Sequence, residues 1–235
     1  MTLRKTLLWL TAFSVIFCTV SNYSKPADCA MATKTDIYKN YQNSGNKIAL
    51  TFDDGPHPRQ THEILDILDE YGIKATFFVI GVNVKNYPEA FQETIRRGHE
   101  IGNHTYSHPH LSGADYNTLK NEIDKCESAI SLAADYKPKL FRPPEGWIDS
   151  DVKTLSAQYD YKVILWNIDT KDWAHTPSDK IVKYVTDNVK PGDIILMHDY
   201  IGKNSPTAEA LRGFIPVLLE RGYQFVVVSE LIGSD

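Results

Sequence analysis

At 235 residues, with 42% hydrophobic and 23% charged side chains, the chain has the composition of a globular protein that buries one full core. Its formal net charge of −5 argues against the basic surface of nucleic-acid-binding proteins, so we predict no nucleic-acid partner. Two of the three cysteines, Cys18 and Cys29, lie near the N-terminus. The third, Cys126, is predicted to be a buried structural thiol, so no disulfide framework is expected in the domain.

Residues 1–32 are predicted to be a signal peptide or an N-terminal anchor. Arg4 and Lys5 precede an apolar run at residues 7–20, which is short for a membrane span. An Ala-Met-Ala sequence at residues 30–32 offers a cleavage site of the A-x-A type. Whether the segment is cleaved stays open. Both alternatives predict a secreted or cell-envelope protein that contacts a membrane only through this segment.

The folded domain is predicted to span residues 47–235, after a polar, turn-rich linker at residues 33–46. Its strand candidates, in chain order, are KIALTF, KATFFVIG, HEIGNH, KLFRPP, YKVILWNID, DIILMHD and YQFVVVSEL. Its helix candidates are QTHEILDILDEYG, YPEAFQETIRRG, YNTLKNEIDKCESAISLAA, SDKIVKYVTDNV and AEALRGFIPVLLERG. This alternation predicts one parallel sheet with helices outside it.

Periodicity alone does not separate an open sheet from a closed barrel, but the polar residues at the strand ends do. They are Asp53 and Asp54 after the first strand, His104 after the third, Arg142 after the fourth, Asp169 and Asp172 after the fifth, and His198 after the sixth. The carboxyl ends of parallel strands share one face, where barrel enzymes place their catalytic residues. Convergence of these side chains therefore favours a single-domain TIM-like barrel.

Two histidines and one aspartate are candidate metal ligands. His104 and His108 are four residues apart, so one helical turn would place both imidazoles on one face. Asp54 would add an oxygen ligand, and such a set leaves positions open for water and substrate. A histidine pair at this spacing is weak support by itself. His110 points away from the pair on helical spacing and is left out.

The remaining polar residues have a catalytic and a structural interpretation. Asp53 is a candidate base, although the Asp-Asp-Gly sequence also fits a simple turn. Arg142 lies between Phe141 and two prolines, and its guanidinium would orient the Asp53 carboxylate unless it is only a surface charge. His198 is either a buried core histidine or a general acid.

Aspartates in the fifth strand-end segment are candidates to keep His198 protonated. Asp172 and Asp169 both lie there, and the sequence leaves the choice open. Trp173, next to Asp172, is either a core residue or an aromatic wall against a sugar or acyl group.

Five segments resemble the motifs of a known family. In chain order they are TFDDGP, HTYSH, RPPEG, DTKDW and ILMH. They are similar to the motifs of the polysaccharide deacetylases, also called the NodB-homology domain or carbohydrate esterase family 4. The resemblance covers about Lys47 to Leu231 and implies a distorted (β/α)7 barrel. It also implies hydrolysis of N-acetyl groups on amino-sugar polymers with a divalent metal, Zn²⁺ first and Co²⁺, Mn²⁺ or Ni²⁺ as alternatives.

The family's roles carry over to matching positions of this sequence. The implied metal ligands are Asp54, His104 and His108. The implied catalytic residues are Asp53 as base, Arg142 as its orienting partner, His198 as acid and Asp172 as the carboxylate beside it. Leu196 and Trp173 would line a pocket for the acetyl methyl group. Glu145 stands where many members have an aromatic residue; its backbone N–H would help to hold the oxyanion, and its side chain would change substrate contacts.

The sequence therefore predicts an exported, monomeric, metal-dependent N-deacetylase. Its expected substrate is an N-acetylated glycan, with cell-wall peptidoglycan first and chitin-type oligomers second. Two alternatives belong to other classes. A non-catalytic carbohydrate-binding barrel should lack the base, a metal ligand or the acid, and none is missing. An amidase for a small cyclic or formylated amide should be cytosolic, and the N-terminal segment argues against it.

Overall fold

The computed structural model describes residues 35–42 and 44–233. The segment at residues 1–32 lies outside these ranges, and its assignment as a signal peptide or anchor stays a prediction. Within the described ranges, no helix combines the length and the apolar character needed to cross a bilayer.

The described chain alternates strands and helices, as the sequence predicts. The strands are β1 (Ile37–Tyr38), β2 (Lys47–Asp53), β3 (Thr76–Val79), β4 (Glu100–Asn103), β5 (Leu140–Phe141), β6 (Lys162–Ile164), β7 (Ile168–Asp169), β8 (Ile194–His198) and β9 (Gln224–Val226). The α-helices are α1 (Gln60–Glu70), α2 (Gly81–Asn86), α3 (Pro88–Arg96), α4 (Tyr116–Ala134), α5 (Ser150–Gln158), α6 (Ser178–Asn188), α7 (Thr207–Glu220) and α8 (Val228–Ile232). Short 3₁₀ turns cover Pro144–Gly146 and Asp172–Ala174.

The parallel strands pair around the barrel from β6 to β7 by way of β2, and a bent segment of the chain connects β6 with β7. Strands β2 to β6 pair with one another in chain order, and the first half of β2 also pairs with β9. The chain bends at residues 165–167, and β7 then pairs with β8, which returns to β2. The fold is a distorted (β/α)7 barrel, which confirms the predicted architecture. The residues at the strand ends consequently share one mouth.

The two-residue period of β2 explains which side chains reach the barrel interior. Ile48, Leu50 and Phe52 pack against helix residues in the outer hydrophobic layer. Ala49 belongs to an inner cluster instead. Because successive side chains of a strand point to opposite faces, Asp53 lies on the same side as Ala49, at the mouth.

Strand β8, which pairs with β2, shows the same alternation of outward-facing and inward-facing side chains. Ile195 and Met197 belong to the outer layer, whereas Ile194 belongs to the inner cluster. Leu196 and His198 therefore face the interior, one above the other. Since His198 pairs in register with Asp53 of β2, the two strand ends carry their polar side chains to adjacent positions.

Three details of the sheet differ from the sequence-based prediction. Residues 37–38, placed in the linker, form a strand that pairs with β6, so part of that segment belongs to the sheet. The fifth strand candidate is two short strands, because its halves pair with different neighbours. The last candidate ends at Val226, and its remainder is helix α8, which packs into the inner cluster.

Candidate active site

A buried arginine fixes the orientation of Asp53. The Arg142 side chain is fully buried just after β5, and its Nη1 donates to Asp53 Oδ1 at 2.7 Å and to Thr51 Oγ1 at 2.9 Å. Its other nitrogens donate to the carbonyl oxygens of residues 164 and 165, at 3.1 and 3.2 Å. With every arm of the guanidinium anchored, Asp53 Oδ1 is held in place. Oδ2 remains on the side of the mouth, 3.7 Å from His104 Nε2.

The backbone of Arg142 fixes the tautomer of His104. Its Nδ1 lies 2.6 Å from the Arg142 carbonyl oxygen, which can only accept, so Nδ1 carries the proton and Nε2 has a free lone pair. Burial lowers the pKa of His104 more than the charges of Asp53 and Asp54 raise it. A neutral imidazole with an oriented Nε2 is the form that binds a metal.

His108 reaches the site through a loop, so the prediction of a helical turn is wrong. Thr105 and His108 have φ values of 68° and 54°, which no α-helix contains. The Thr105 N–H donates to the Asn103 side chain, and the His108 N–H donates to Thr105 Oγ1. Glu122 of α4 accepts from two further loop amides. The imidazoles still meet, with ring centroids 5.0 Å apart.

Asp54, His104 and His108 form a set that fits a divalent metal. Nε2 of each histidine lies 3.6 Å from Asp54 Oδ1. One ligand atom from each residue lies within 4.8 Å of the others. Within the described part of the chain, Asp54 Oδ1 is buried without a hydrogen-bond partner. Since a buried carboxylate oxygen normally has one, a cation between these atoms would satisfy it.

His198 lies across the mouth from this set and is bonded to Asp172. Its Nδ1 is 2.8 Å from Asp172 Oδ1, and its backbone N–H donates to Oδ2. Thr207 also donates to Oδ2, which fixes the buried carboxylate. Burial lowers the pKa of His198, but the hydrogen bond and charge of Asp172, with the charges of Asp53 and Asp54, raise it to about 9. The structure thus selects Asp172 over Asp169 as the partner.

Replacing Asp172 with Asn is expected to lower the pKa of His198 by about 1 to 3 pH units, because an adjacent carboxylate no longer favours the imidazolium. The pKa of His198 can be measured in chelator-treated protein by NMR titration. In the wild type, His198 stabilises the fold most fully below about pH 6.5, and this contribution is lost as pH rises through about 9. An unchanged titration in Asp172→Asn would contradict the assigned pair.

The mouth encloses a cavity of about 460 Å³ beside these residues. Its remaining walls are Glu145, Trp166, Asp169, Trp173 and Leu196. Leu196 is nearly buried at the floor, whereas Trp173 is exposed at the rim. The structure therefore brings together the predicted catalytic, metal and substrate-binding residues, with Arg142 and Asp172 buried behind the cavity wall.

Glu145 contacts His110, which lies outside the predicted metal set. Its carboxylate lies 2.7 Å from His110 Nδ1, and both side chains are exposed. The Glu145 backbone has φ 57°, so the turn after Arg142 directs this residue towards the cavity. His110 thus belongs to the rim of the mouth rather than to the metal set.

Sequence reasoning missed three residues around the site. Trp166 sits inside an apolar strand candidate and was therefore indistinguishable from a core residue. Thr207, at the first position of α7, follows a serine and a proline that resemble an ordinary helix start. Asp199 directly follows His198, and its position next to a strand-end residue could have marked it as part of the site, as it did for Asp54 next to Asp53.

Comparisons with known proteins point to one family. A family model described as polysaccharide deacetylase matches residues 40–164. A peptidoglycan-N-acetylglucosamine deacetylase of Bacillus cereus is 40% identical over 192 residues, which cover 81% of this chain and 90% of the relative. A chitooligosaccharide deacetylase of Sinorhizobium fredii is 36% identical, over 75% of this chain and 87% of its own.

A solved structure agrees with these sequence matches. The Bc1960 peptidoglycan N-acetylglucosamine deacetylase superimposes with a TM-score of 0.82 and 34% sequence identity. The match covers 86% of this chain and 94% of that protein. The likeness therefore extends over nearly the whole barrel.

Proposed function

Because the chain belongs to the polysaccharide deacetylase family, we propose that it is a metal-dependent hydrolase that removes N-acetyl groups from peptidoglycan outside the cytoplasm. The observation that carries this proposal is the meeting of Asp53, the three candidate ligands and His198 at one cavity. Peptidoglycan comes first because the B. cereus relative and the superimposed structure are both peptidoglycan deacetylases.

The metal set has a defined part in the proposed reaction. A divalent cation held by Asp54, His104 and His108 would polarise the acetamide carbonyl and lower the pKa of water. We propose Zn²⁺, with Co²⁺, Mn²⁺ or Ni²⁺ as alternatives, since imidazole and carboxylate ligands suit all of them.

Asp53 and His198 move the protons. Arg142 occupies Asp53 Oδ1, so Oδ2 is the oxygen that takes a proton from the attacking water. Asp172 occupies His198 Nδ1, so the opposite nitrogen, Nε2, donates a proton to the departing amine. Water adds to the acetyl carbon, the carbon–nitrogen bond breaks, and the products are acetate and a free amino sugar.

The cavity walls would position the acetamide for this attack. Leu196 at the floor and Trp173 at the rim offer apolar surface to the acetyl methyl group. The backbone N–H of Glu145 is proposed to donate to the oxyanion. A hydrogen bond that strengthens as negative charge develops on the carbonyl oxygen stabilises the transition state more than the bound substrate, so it lowers the barrier to the reaction.

Chitin-type oligomers are the second candidate substrate, because the S. fredii relative is a chitooligosaccharide deacetylase. A carbohydrate-binding protein without catalysis would not need a buried carboxylate bonded to an arginine or a histidine bonded to a buried carboxylate, so the Asp53–Arg142 and His198–Asp172 pairs support catalysis. No observation on the described residues favours an amidase for a small cyclic or formylated amide.

The deciding experiment is acetate release from peptidoglycan and from chitooligosaccharides by the same preparation. We expect release from both, with higher kcat/KM on peptidoglycan. Higher kcat/KM on the oligomers would reverse the order of substrates. No release from either would contradict deacetylation.

Removing the metal is expected to abolish acetate release, and adding back Zn²⁺, Co²⁺, Mn²⁺ or Ni²⁺ should restore it. His104→Ala should lose metal by elemental analysis, because it removes one of three ligands from the set. His62→Ala is a suitable control, since this helix α1 histidine lies outside the cavity. Full activity after exhaustive chelation would overturn metal dependence.

Export and the monomeric state are also proposed. Residues 1–32 support export through their basic start and apolar run. Fusing them to a reporter enzyme that is active only outside the cytoplasm tests this directly, with a deletion of residues 7–20 as control. Light scattering of the domain tests the monomer, and a stable dimer would contradict it.

A further inference from the structure

The proposed reaction makes no use of Asp199, yet this carboxylate is buried beside the site. It directly follows His198, and only 1% of its surface is exposed. Thr61 Oγ1 of helix α1 donates to its Oδ2 at 2.5 Å. Within the described chain, its Oδ1 has no hydrogen-bond partner. A buried carboxylate in this state needs a structural or functional reason.

Asp199 touches the chain on both sides of the metal ligand Asp54. Its backbone N–H donates to the Asp53 carbonyl oxygen at 3.1 Å. Its carboxylate fills the space in which a side chain at Gly55 would lie: a methyl group there would come 2.0 Å from Asp199 Oδ2 and 2.2 Å from Oδ1. Residue 55 must therefore be glycine as long as residue 199 carries this carboxylate.

The backbone of Asp54 needs such support. Its φ of 75° lies in the left-handed region, which costs a residue with a side chain free energy and persists only where neighbours enforce it. The Asn83 side chain donates to the Asp54 carbonyl at 2.8 Å, and the Ile80 N–H donates to the Gly55 carbonyl at 2.9 Å. These two hydrogen bonds and the contacts of Asp199 together restrain the turn.

Thr61 ties the same carboxylate to the following residues of the loop. While its hydroxyl donates to Asp199, its oxygen accepts from the His57 backbone N–H at 2.7 Å. One carboxylate thus contacts Gly55 directly and His57 through Thr61. The segment from Asp53 to His57 has little freedom to rotate Asp54 away from the two histidines.

We propose that Asp199 is a positioning residue that holds Asp54 in the orientation required to bind the metal. This inference rests on the metal-dependent function proposed above. It assigns a role through packing and a hydrogen bond, so it predicts that shape and acceptor capacity matter more than charge at this position.

The test is Co²⁺ binding, followed by the visible spectrum of the bound ion and by calorimetry. Asp199→Ala is expected to bind Co²⁺ about 10-fold more weakly or worse, as groups that orient metal ligands typically do when removed. Asp199→Asn keeps the shape and the acceptor for Thr61, and should stay close to the wild type. Equal losses in both variants would assign the effect to charge and overturn the inference.

Asp193→Ala is the matched control. Asp193 precedes the same strand β8, is also nearly buried, and accepts from the Lys190 N–H and the Asn167 side chain, at the opposite end from the mouth. It should lower thermal stability without weakening Co²⁺ binding. If it weakens binding as much as Asp199→Ala does, the effect is general destabilisation and the inference fails.

A double-mutant cycle with Gly55 covers the case in which Asp199→Ala folds poorly. Gly55→Ala should weaken Co²⁺ binding, because its methyl group meets the Asp199 carboxylate. Adding Asp199→Ala should recover part of the affinity by removing those atoms. Failure to recover would overturn the contact as the cause. A wild type that binds no Co²⁺ would instead refute the proposed metal dependence, and the inference with it.

Discussion

Replacing Asp53 with Asn is expected to lower kcat for acetate release by about 10²- to 10⁴-fold, the usual contribution of a general base. The amide has the size of the carboxylate and can still accept from Arg142, so the geometry of the mouth should survive. The amide NH₂ group that replaces Oδ2, the oxygen that Arg142 leaves available, cannot take a proton from water. Because Asp53 is not in the metal set, Co²⁺ or Zn²⁺ content should remain near that of the wild type.

Asp66→Asn is the control for this variant. Asp66 also pairs with an arginine, Arg97, at 2.7 Å, but on the exposed surface. Pairs of this kind contribute about 0–1 kcal/mol, so kcat should not change. If Asp53→Asn kept more than about a tenth of the wild-type kcat with its metal bound, another group would have to be the base.

The position of the site could be predicted from the sequence because strand periodicity and strand ends are local signals. An apolar run that ends in a polar residue, as at Asp53 and His198, marks the mouth of a parallel barrel whatever the details of closure. Arg142 followed from chemistry, since it satisfies the charge of Asp53, whereas the choice of Asp172 over Asp169 beside His198 was implied only by the family resemblance. Both pairs are present at hydrogen-bonding distance.

The local geometry could not be predicted, because it depends on contacts between distant segments. The four-residue spacing of His104 and His108 fits a helix, but backbone N–H groups that donate to the Asn103 and Glu122 side chains stabilise a loop instead. The bend at residues 165–167 exists because the two halves of one strand candidate pair with different neighbours. Local hydrophobic periodicity reports neither the loop hydrogen bonds nor the choice of strand partners.

Asp53 and Arg142 form a buried ion pair inside the barrel, at 2.7 Å. Replacing Arg142 with Met is expected to destabilise the metal-free domain by about 3–5 kcal/mol, because it leaves a carboxylate buried without its partner. The carbonyl oxygens of residues 164 and 165 lose donors at the same time. Urea unfolding of chelator-treated protein, followed by circular dichroism, measures the change as a shift in midpoint at constant slope.

The double variant Asp53→Asn/Arg142→Met separates the unpaired charge from the lost packing. If the buried carboxylate causes most of the loss, removing its charge should recover part of the stability that Arg142→Met forfeits. Without such recovery, the loss would be due to the vacated arginine volume and the unpaired carbonyls rather than to charge. Recovery in the double variant would show that Arg142 stabilises the fold mainly by compensating the Asp53 carboxylate through the 2.7 Å contact between Nη1 and Oδ1.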